Sequence, residues 1–124
     1  MTSDDYVRSK LLSFAWRAAS HVSKNAIVCV MFVVRTRVGE ERNWIGVLNK
    51  LEKDAPLPNS DVEDIRDPQF TSLLEYVDGI VDGTKQDRWT MGAEYWFDGK
   101  LDHKWFDLLS KQRVGNLEGL VFYK

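Results

Sequence analysis

The stretch that decides the fold is Ala26–Val34, which reads AIVCVMFVV without one polar residue. Its valines and isoleucine favour a β-strand, because β-branched side chains pack well on a pleated sheet. Its length and its lack of turn-forming residues favour a buried helix instead. Ser23 stands where the N-cap of such a helix belongs. We therefore predict a buried helix that begins after Ser23 and ends near Arg37.

Further helices are predicted on both sides of this run, from capping residues that precede apolar side chains at helical spacing. Ser3 is followed by two aspartates, which place negative charge at the positive end of a helix dipole, and the helical spacing continues to about Ser20. The other predicted helices are a short one capped by Asn43, one that starts at Asp67-Pro68 and ends at Gly83, and one over Leu101–Ser110.

Two stretches are predicted to lie outside helices. Ala55–Asn59 contains two prolines and is predicted to be a loop. Leu117–Tyr123 indicates a strand, or an extended segment that packs on the core. No repeat or linker interrupts the 124 residues, so one domain over 1–124 is predicted. The predicted fold class is mainly α, with α+β as the alternative.

The charge balance excludes one class of partner. Lys plus Arg number 17 against 19 Asp plus Glu, a net charge of -2, whereas nucleic-acid binding depends on a clustered basic surface. The apolar run is also too short for a membrane span, which takes about 20 residues. Residues Met1–Tyr6 are acidic and polar, unlike a secretory signal. We expect synthesis in the cytoplasm without a signal peptide.

Metal and disulfide chemistry are not expected. Cys29 is the one cysteine, so an intrachain disulfide cannot form, and its apolar neighbours predict a buried thiol. His21 and His103 are far apart and belong to no cluster with the spacing of metal ligands. We therefore expect neither a metal site nor a cofactor.

The C-terminal half carries a series of short motifs. They are Asp67-Pro68-Gln69-Phe70, Gly83, Asp87, Thr90-Met91-Gly92-Ala93, Glu94-Tyr95-Trp96-Phe97, Val114-Gly115-Asn116 and Val121-Phe122-Tyr123. In order and spacing they resemble the Gln-Phe, Asp-Pro-Thr-x-Gly-Ala, Ile-Gly-Asn and Phe-Tyr elements of the SleB-type cell-wall hydrolases. Val33–Val38 is similar to the family's helix ending Val-x-Asn-Arg-Val. The resemblance implies a small lysozyme-like helical fold and cleavage of peptidoglycan glycan strands next to muramic acid, by hydrolysis or lytic transglycosylation.

The chain departs from the family at the catalytic acid. Counting back without gaps, the resemblance places the family's two N-terminal glutamates at Ala18 and Val22. No Asp or Glu occurs anywhere between Tyr6 and Gly39. Glycan cleavage needs a carboxylic acid that stays protonated near neutral pH, and alanine cannot supply one.

If the chain is an enzyme, its acid must come from another position. Glu94 is the first candidate catalytic residue, because the aromatic residues that follow it would raise its pKa by desolvation. It also stands near the position of the family's histidine. Glu40 and Glu41 are weaker candidates, in the loop after the apolar helix. For each of the three, the alternative is a solvated surface carboxylate.

Aromatic residues in the same region suggest a binding surface for a glycan. Trp89, Tyr95 and Trp96 are the candidate platform, since flat rings suit the faces of sugars. The alternative is that such rings belong to the core, where large aromatic residues are more often found. We expect exposure for only one or two of Trp89, Trp96 and Trp105.

Three hypotheses about function remain open from the sequence. The first choice is a catalytically inactive, cell-wall-hydrolase-like domain that serves as a peptidoglycan-associated or structural component of a phage particle. Its expected partners are peptidoglycan or other virion proteins, including copies of itself in an assembly. The second is an active peptidoglycan-cleaving lysin with a relocated acid, and the third is an unrelated small helical interaction domain.

Overall fold

A computed structural model of the chain describes residues 3–20, 22–39, 42–54, 68–87, 89–90, 92–97, 112–117 and 119–124. These residues form four α-helices and one three-stranded antiparallel sheet, which confirms the predicted class of mainly α with some β. In chain order the elements are α1 (Ser3–Ala19), α2 (Lys24–Val38), α3 (Trp44–Asp54), α4 (Pro68–Asp82), β1 (Tyr95–Phe97), β2 (Arg113–Leu117) and β3 (Leu120–Tyr123).

The apolar run forms the central helix of the molecule. Every residue of Ala26–Val34 is buried, and α2 contacts α1, α3, α4 and β1. A helix that is apolar on all sides is stable only when other elements surround it, and here that burial outweighs the β-propensity of its valines. The predicted cap is confirmed, since the Ser23 hydroxyl accepts a hydrogen bond of 3.0 Å from the Ala26 N–H. The helix ends at Val38, one residue past the predicted end.

Two of the signals predicted for the neighbouring helices are confirmed. The Asn43 side chain accepts a hydrogen bond of 3.2 Å from the Gly46 N–H at the start of α3. Gly83 follows α4 with φ +82, a conformation that glycine adopts without steric cost. The predicted loop at 55–59, the cap at 67 and the helix at 101–110 lie outside the described residues.

Ion pairs join α1 to the two helices beside it. Glu52 of α3 lies 3.0 Å from the Lys10 ammonium and 3.3 Å from the Arg17 guanidinium. Arg8 lies 2.8 Å from Asp78 of α4. Such partly exposed pairs contribute about 0–1 kcal/mol each, so the buried apolar faces supply most of the stability of the bundle.

The sheet packs on the helical core with its buried face. Its strand order is β1-β3-β2, and Tyr95 pairs with Tyr123. The predicted C-terminal strand is thus confirmed as β3, but β1 and most of β2 had not been predicted as strands. Trp96 and Phe122 point into the core, where the Trp96 ring meets Phe14 edge-on at 5.9 Å between centroids.

The described residues also bear on the expectations about membrane spans, metal sites and the cysteine. None of their helices is long and apolar enough to cross a membrane. They contain no group of three or more His, Cys, Asp or Glu side chains that could hold a metal ion. Cys29 is buried, as its apolar neighbours predict.

Candidate functional site

Asp87 organises the connection between α4 and β1. Its carboxylate accepts hydrogen bonds from the backbone N–H groups of Trp89 (3.1 Å), Thr90 (2.8 Å) and Gly92 (3.2 Å). It also accepts one from the Thr90 hydroxyl, which is thereby satisfied although Thr90 is fully buried. Four donors on one carboxylate hold this turn in a single shape. We infer that Asp87 has a structural role here, not the role of a proton donor.

The Gly-Ala pair completes the same turn. Gly92 has φ +78, and a Cβ added there would come no closer than 3.9 Å to another side chain. The backbone torsion, not lack of space, therefore requires glycine. Ala93 is fully buried, and its N–H donates to the Thr90 carbonyl at 3.1 Å. The motifs that suggested a hydrolase thus build the loop that leads into β1.

Two arginines near the end of α2 fix this connection from the other side. Arg35 donates a hydrogen bond to the Lys85 carbonyl. Arg37 donates to the Glu94 carbonyl at 3.1 Å, and its guanidinium lies 5.0 Å from the centroid of the Tyr95 ring. These roles have no local signal in the sequence, because the acceptors are backbone carbonyls 50 and 57 residues away.

A groove lies between the second half of α2, the end of α4 and the Asp87 turn; we call it the Trp89 groove. Its first part has a volume of about 470 Å³ and is lined by Phe32, Tyr76, Thr84, Lys85, Gln86 and Trp89. Its second part, of about 420 Å³, is lined by Phe32, Arg35, Thr36, Gly39, Gln86, Asp87 and Gly92. Phe32 and Gln86 line both parts. Each is within the range of small-molecule sites, roughly 300–1,000 Å³.

Trp89 is the most exposed ring of the groove, yet the structure holds it in place. Its residue is 36% exposed, and its ring stands perpendicular to Phe32 with 6.4 Å between centroids. Its backbone N–H is one of the donors to Asp87. An exposed indole on a fixed backbone is a surface already arranged for contact with a ligand.

Lys85 is positioned in the same groove. Its ammonium lies 4.8 Å from the centroid of the Tyr76 ring. Its aliphatic stem passes over Gly79 of α4, so closely that a Cβ on Gly79 would stand 2.5 Å from the Lys85 Cγ. The glycine therefore makes room for the lysine stem and places the cation over the ring.

The structure separates the residues of the predicted glycan platform. Trp89 is exposed in the groove, as that prediction requires. The prediction for Trp96 is wrong, because the residue is 1% exposed and packs in the core. Side chains alternate across a strand, so Tyr95 and Trp96 face opposite sides of β1 and cannot form one surface. Tyr95 is half-buried beneath Arg37.

Of the three candidate acids, Glu94 lies among the described residues. Glu94 is exposed, so the enclosure by aromatic rings expected for a relocated acid is absent. Its backbone directly precedes β1, and its N–H donates to the Tyr123 carbonyl at 2.9 Å. Residues 40 and 41 lie outside the described residues.

The positions that the resemblance assigns to the family's glutamates are apolar and packed. Ala18 is 3% exposed within the hydrophobic core. Val22 is half-buried against that core, and its Cγ1 lies 3.8 Å from the place that a Cβ on Gly119 would take. Neither position offers a carboxylate.

Comparison of the chain with protein-family models, with curated proteins and with solved structures found no match. The described residues define the class of protein only as a small helical domain with a short sheet packed on its core and a groove lined by aromatic and cationic side chains.

Proposed function

We propose that this chain is a catalytically inactive relative of the SleB-type cell-wall hydrolases, which associates with peptidoglycan as a structural component of a phage particle. The observation that carries the proposal is the packed alanine at position 18, where the resemblance places an acid. A catalytic acid must be protonated and must lie in a cleft that admits the glycan, whereas position 18 is packed inside the core.

The motif residues support the same proposal. Hydrogen bonds join the Asp87 carboxylate to Thr90 and Gly92, and Gly92 has a positive φ, so all three residues have a structural role. A domain can keep such structural residues after it has lost its catalytic activity, because fold and activity depend on different side chains. The Trp89 groove supplies a surface through which the domain would still hold a glycan.

One experiment tests both the binding of the chain to peptidoglycan and the cleavage of peptidoglycan. The purified chain is mixed with purified peptidoglycan sacculi, and both co-sedimentation and loss of turbidity are measured beside an active muralytic enzyme. We expect the chain to sediment with the sacculi and the turbidity to stay constant. Mass spectrometry of purified particles would then test the virion setting.

Other outcomes would overturn defined parts of the proposal. Clearing by the wild-type chain that is lost in a Glu94→Gln variant would establish an enzyme with a relocated acid. Clearing that survives in this variant would also establish an enzyme, with another acid. A folded chain that neither clears nor sediments would refute the association with peptidoglycan.

A further inference from the structure

We infer that the Trp89 groove binds an acidic segment of a partner protein, an inference that goes beyond the proposed association with peptidoglycan and does not depend on it. In the segment that suits the groove, carboxylate side chains stand on both sides of an aliphatic one. Three features of the groove favour such a segment: its positive charge, the room that it leaves for a peptide main chain, and its exposed indole.

Two half-buried cations, Arg35 and Lys85, line the groove without a carboxylate partner among the described residues. The ion pairs of the described residues lie elsewhere, between α1 and the helices α3 and α4. Asp87 is the one acidic residue of the described lining, and its carboxylate accepts four hydrogen bonds from its own loop. The lining therefore keeps an excess of positive charge, which a carboxylate of a partner would offset.

The structure holds the Lys85 cation in one place. The Lys85 N–H donates to the Gly79 carbonyl at 3.1 Å, and its carbonyl accepts the hydrogen bond from Arg35. Its ammonium covers the face of Tyr76, so a partner meets the cation at this point and not the ring. A side chain that is already ordered loses little entropy when it pairs with a carboxylate.

The second part of the groove leaves room for the main chain of a peptide. Gly39 and Gly92 both line it. A Cβ added to Gly39 would meet no atom of the described residues within 4 Å, and one added to Gly92 would come no closer than 3.9 Å to such an atom. The side chain of Gln86 is exposed and lines both parts of the groove. Because a carboxamide donates and accepts hydrogen bonds, it can pair with the N–H and C=O of a peptide group.

The exposed indole supplies the apolar contact. Trp89 is 36% exposed, and both its ring and its backbone are held, by Phe32 and by Asp87. An aliphatic side chain that packs on this ring removes apolar surface of both partners from water. Tryptophan and arginine are also the residue types that protein interfaces favour. The indole, with Arg35 and Lys85 in the same groove, therefore matches an aliphatic residue between two acids.

Two other classes of partner fit the groove less well. A basic protein segment would be repelled by Arg35 and Lys85. A nucleic acid needs several cations along its backbone, whereas the described lining has two and the whole chain has a net charge of -2. An acidic protein segment needs only the two cations and the one apolar contact that the groove provides.

The test follows the indole N–H signals of the tryptophans by two-dimensional NMR during titration with peptides that are capped at both ends. The acidic probe is Ser-Glu-Leu-Glu-Ser, the neutral probe has glutamine in place of both glutamates, and the third probe has alanine in place of leucine. We expect the acidic probe to shift the Trp89 signal and to bind about tenfold more tightly than the neutral probe, the effect of roughly one charge-assisted contact. It should also bind more tightly than the alanine probe. The preference for the acidic probe should shrink as salt is added, because salt screens the charges of an open groove.

Single substitutions test the two contacts separately, with affinities measured by fluorescence anisotropy of labelled probes. Lys85→Gln removes one of the two cations, so the preference for the acidic over the neutral probe should fall from about tenfold to about threefold. Trp89→Ala should abolish the difference between the leucine and alanine probes. Lys50→Gln, at an exposed lysine of α3 outside the groove, should bind all three probes like the wild type. Circular dichroism of each variant verifies its fold.

Several results would overturn the inference. One is equal affinity for the acidic and neutral probes, and another is a set of shifts confined to other tryptophans. A third is a shift of the Trp89 signal by inorganic phosphate or by an oligothymidylate at a lower concentration than by the acidic probe. The groove would then be a site for simple anions or for nucleic acid.

Sedimentation with sacculi distinguishes a failure of this inference from a failure of the proposed function. Sacculi that sediment the chain, while the acidic probe leaves the Trp89 signal unshifted, would refute the protein partner and leave the proposed function intact. An acidic probe that shifts the Trp89 signal, in a chain that sacculi do not sediment, would support the protein partner and refute the association with peptidoglycan alone.

Discussion

At the scale of single residues, the same side chain types serve architecture in one place and chemistry in another. An aspartate beside a buried threonine invites a catalytic interpretation, but in this chain both carboxylate oxygens of Asp87 accept hydrogen bonds from its own loop. What distinguishes the two roles is whether the carboxylate accepts its hydrogen bonds from its own loop or faces a ligand, and the residue types alone do not decide this.

The role of Asp87 leads to a first prediction. The Asp87→Asn substitution keeps the shape of the side chain but replaces one carboxylate oxygen with an amide nitrogen. That nitrogen cannot accept the hydrogen bonds that the oxygen accepts. We expect the free energy of unfolding to fall by about 1–3 kcal/mol, the cost of unmet hydrogen bonds in a partly buried group. Urea denaturation measures this loss. Glu75→Gln, at an exposed carboxylate of α4, is the control, and equal stabilities of the two variants would contradict the role.

A second prediction concerns the position assigned to the lost acid. Ala18→Glu puts a carboxylate where 3% of the residue is exposed, so either its charge or its bulk must be accommodated in the core. We expect a loss of several kcal/mol, or failure to fold, and no muralytic activity. Ser9→Glu, on the exposed side of the same helix, should leave stability within about 0.5 kcal/mol. A stable Ala18→Glu variant that clears peptidoglycan would show instead that a cleft opens at this end of α1.

At the scale of elements, capping residues predicted helices better than strands. Ser23 and Asn43 are local signals, and the helices begin where these residues place them. The three residues of β1 are too few to show a period, so the sequence indicates an aromatic surface where the structure has a strand. Strand pairing is also a long-range property, since Tyr95 finds its partner at Tyr123.

The end of α4 gives a third prediction, in the form of a double-mutant cycle. Alanine normally stabilises a helix interior by about 1 kcal/mol relative to glycine. In Gly79→Ala, however, the new Cβ would lie 2.5 Å from the Lys85 Cγ and displace the lysine stem. We expect Gly79→Ala to destabilise the wild-type chain by about 1 kcal/mol, since overpacking costs more than propensity gains.

The cycle is completed in a Lys85→Ala background, where the obstacle is gone. There Gly79→Ala should be neutral or stabilising, so that the two positions show a coupling energy above about 1 kcal/mol in urea denaturation. Additive effects within about 0.5 kcal/mol would mean that the stem does not lie on Gly79 in solution.

At the scale of the whole molecule, the sheet and the helices share one core. Trp96 and Phe122 lie in the same buried cluster as α1 and α2, with Phe14 at the centre of the contact. Of the candidate glycan platform, Trp96 is buried in that core, whereas Trp89 is exposed and its role in binding stays a prediction. The groove itself could not be predicted, because its walls come from α2, α4 and the Asp87 turn, which meet only in the folded chain.

The two tryptophans provide the last prediction, because one should matter for stability and the other for binding. Trp96→Phe removes a buried indole and should lower the free energy of unfolding by about 1–3 kcal/mol. Because sheet and helices share that core, tryptophan fluorescence and far-UV circular dichroism should report one coincident transition. Below that transition the variant should still sediment with sacculi like the wild type.

Trp89→Ala should behave in the opposite way. Its ring is over one third exposed, so we expect a loss of stability below about 1 kcal/mol together with clearly weaker sedimentation. Both variants are compared at equal folded fractions, which separates binding from unfolding. Weaker sedimentation in folded Trp96→Phe, with unchanged sedimentation in Trp89→Ala, would place the glycan surface on the sheet and not in the groove. The reverse pattern would assign the contact with peptidoglycan to the Trp89 groove and would leave Trp96 with a structural role in the core.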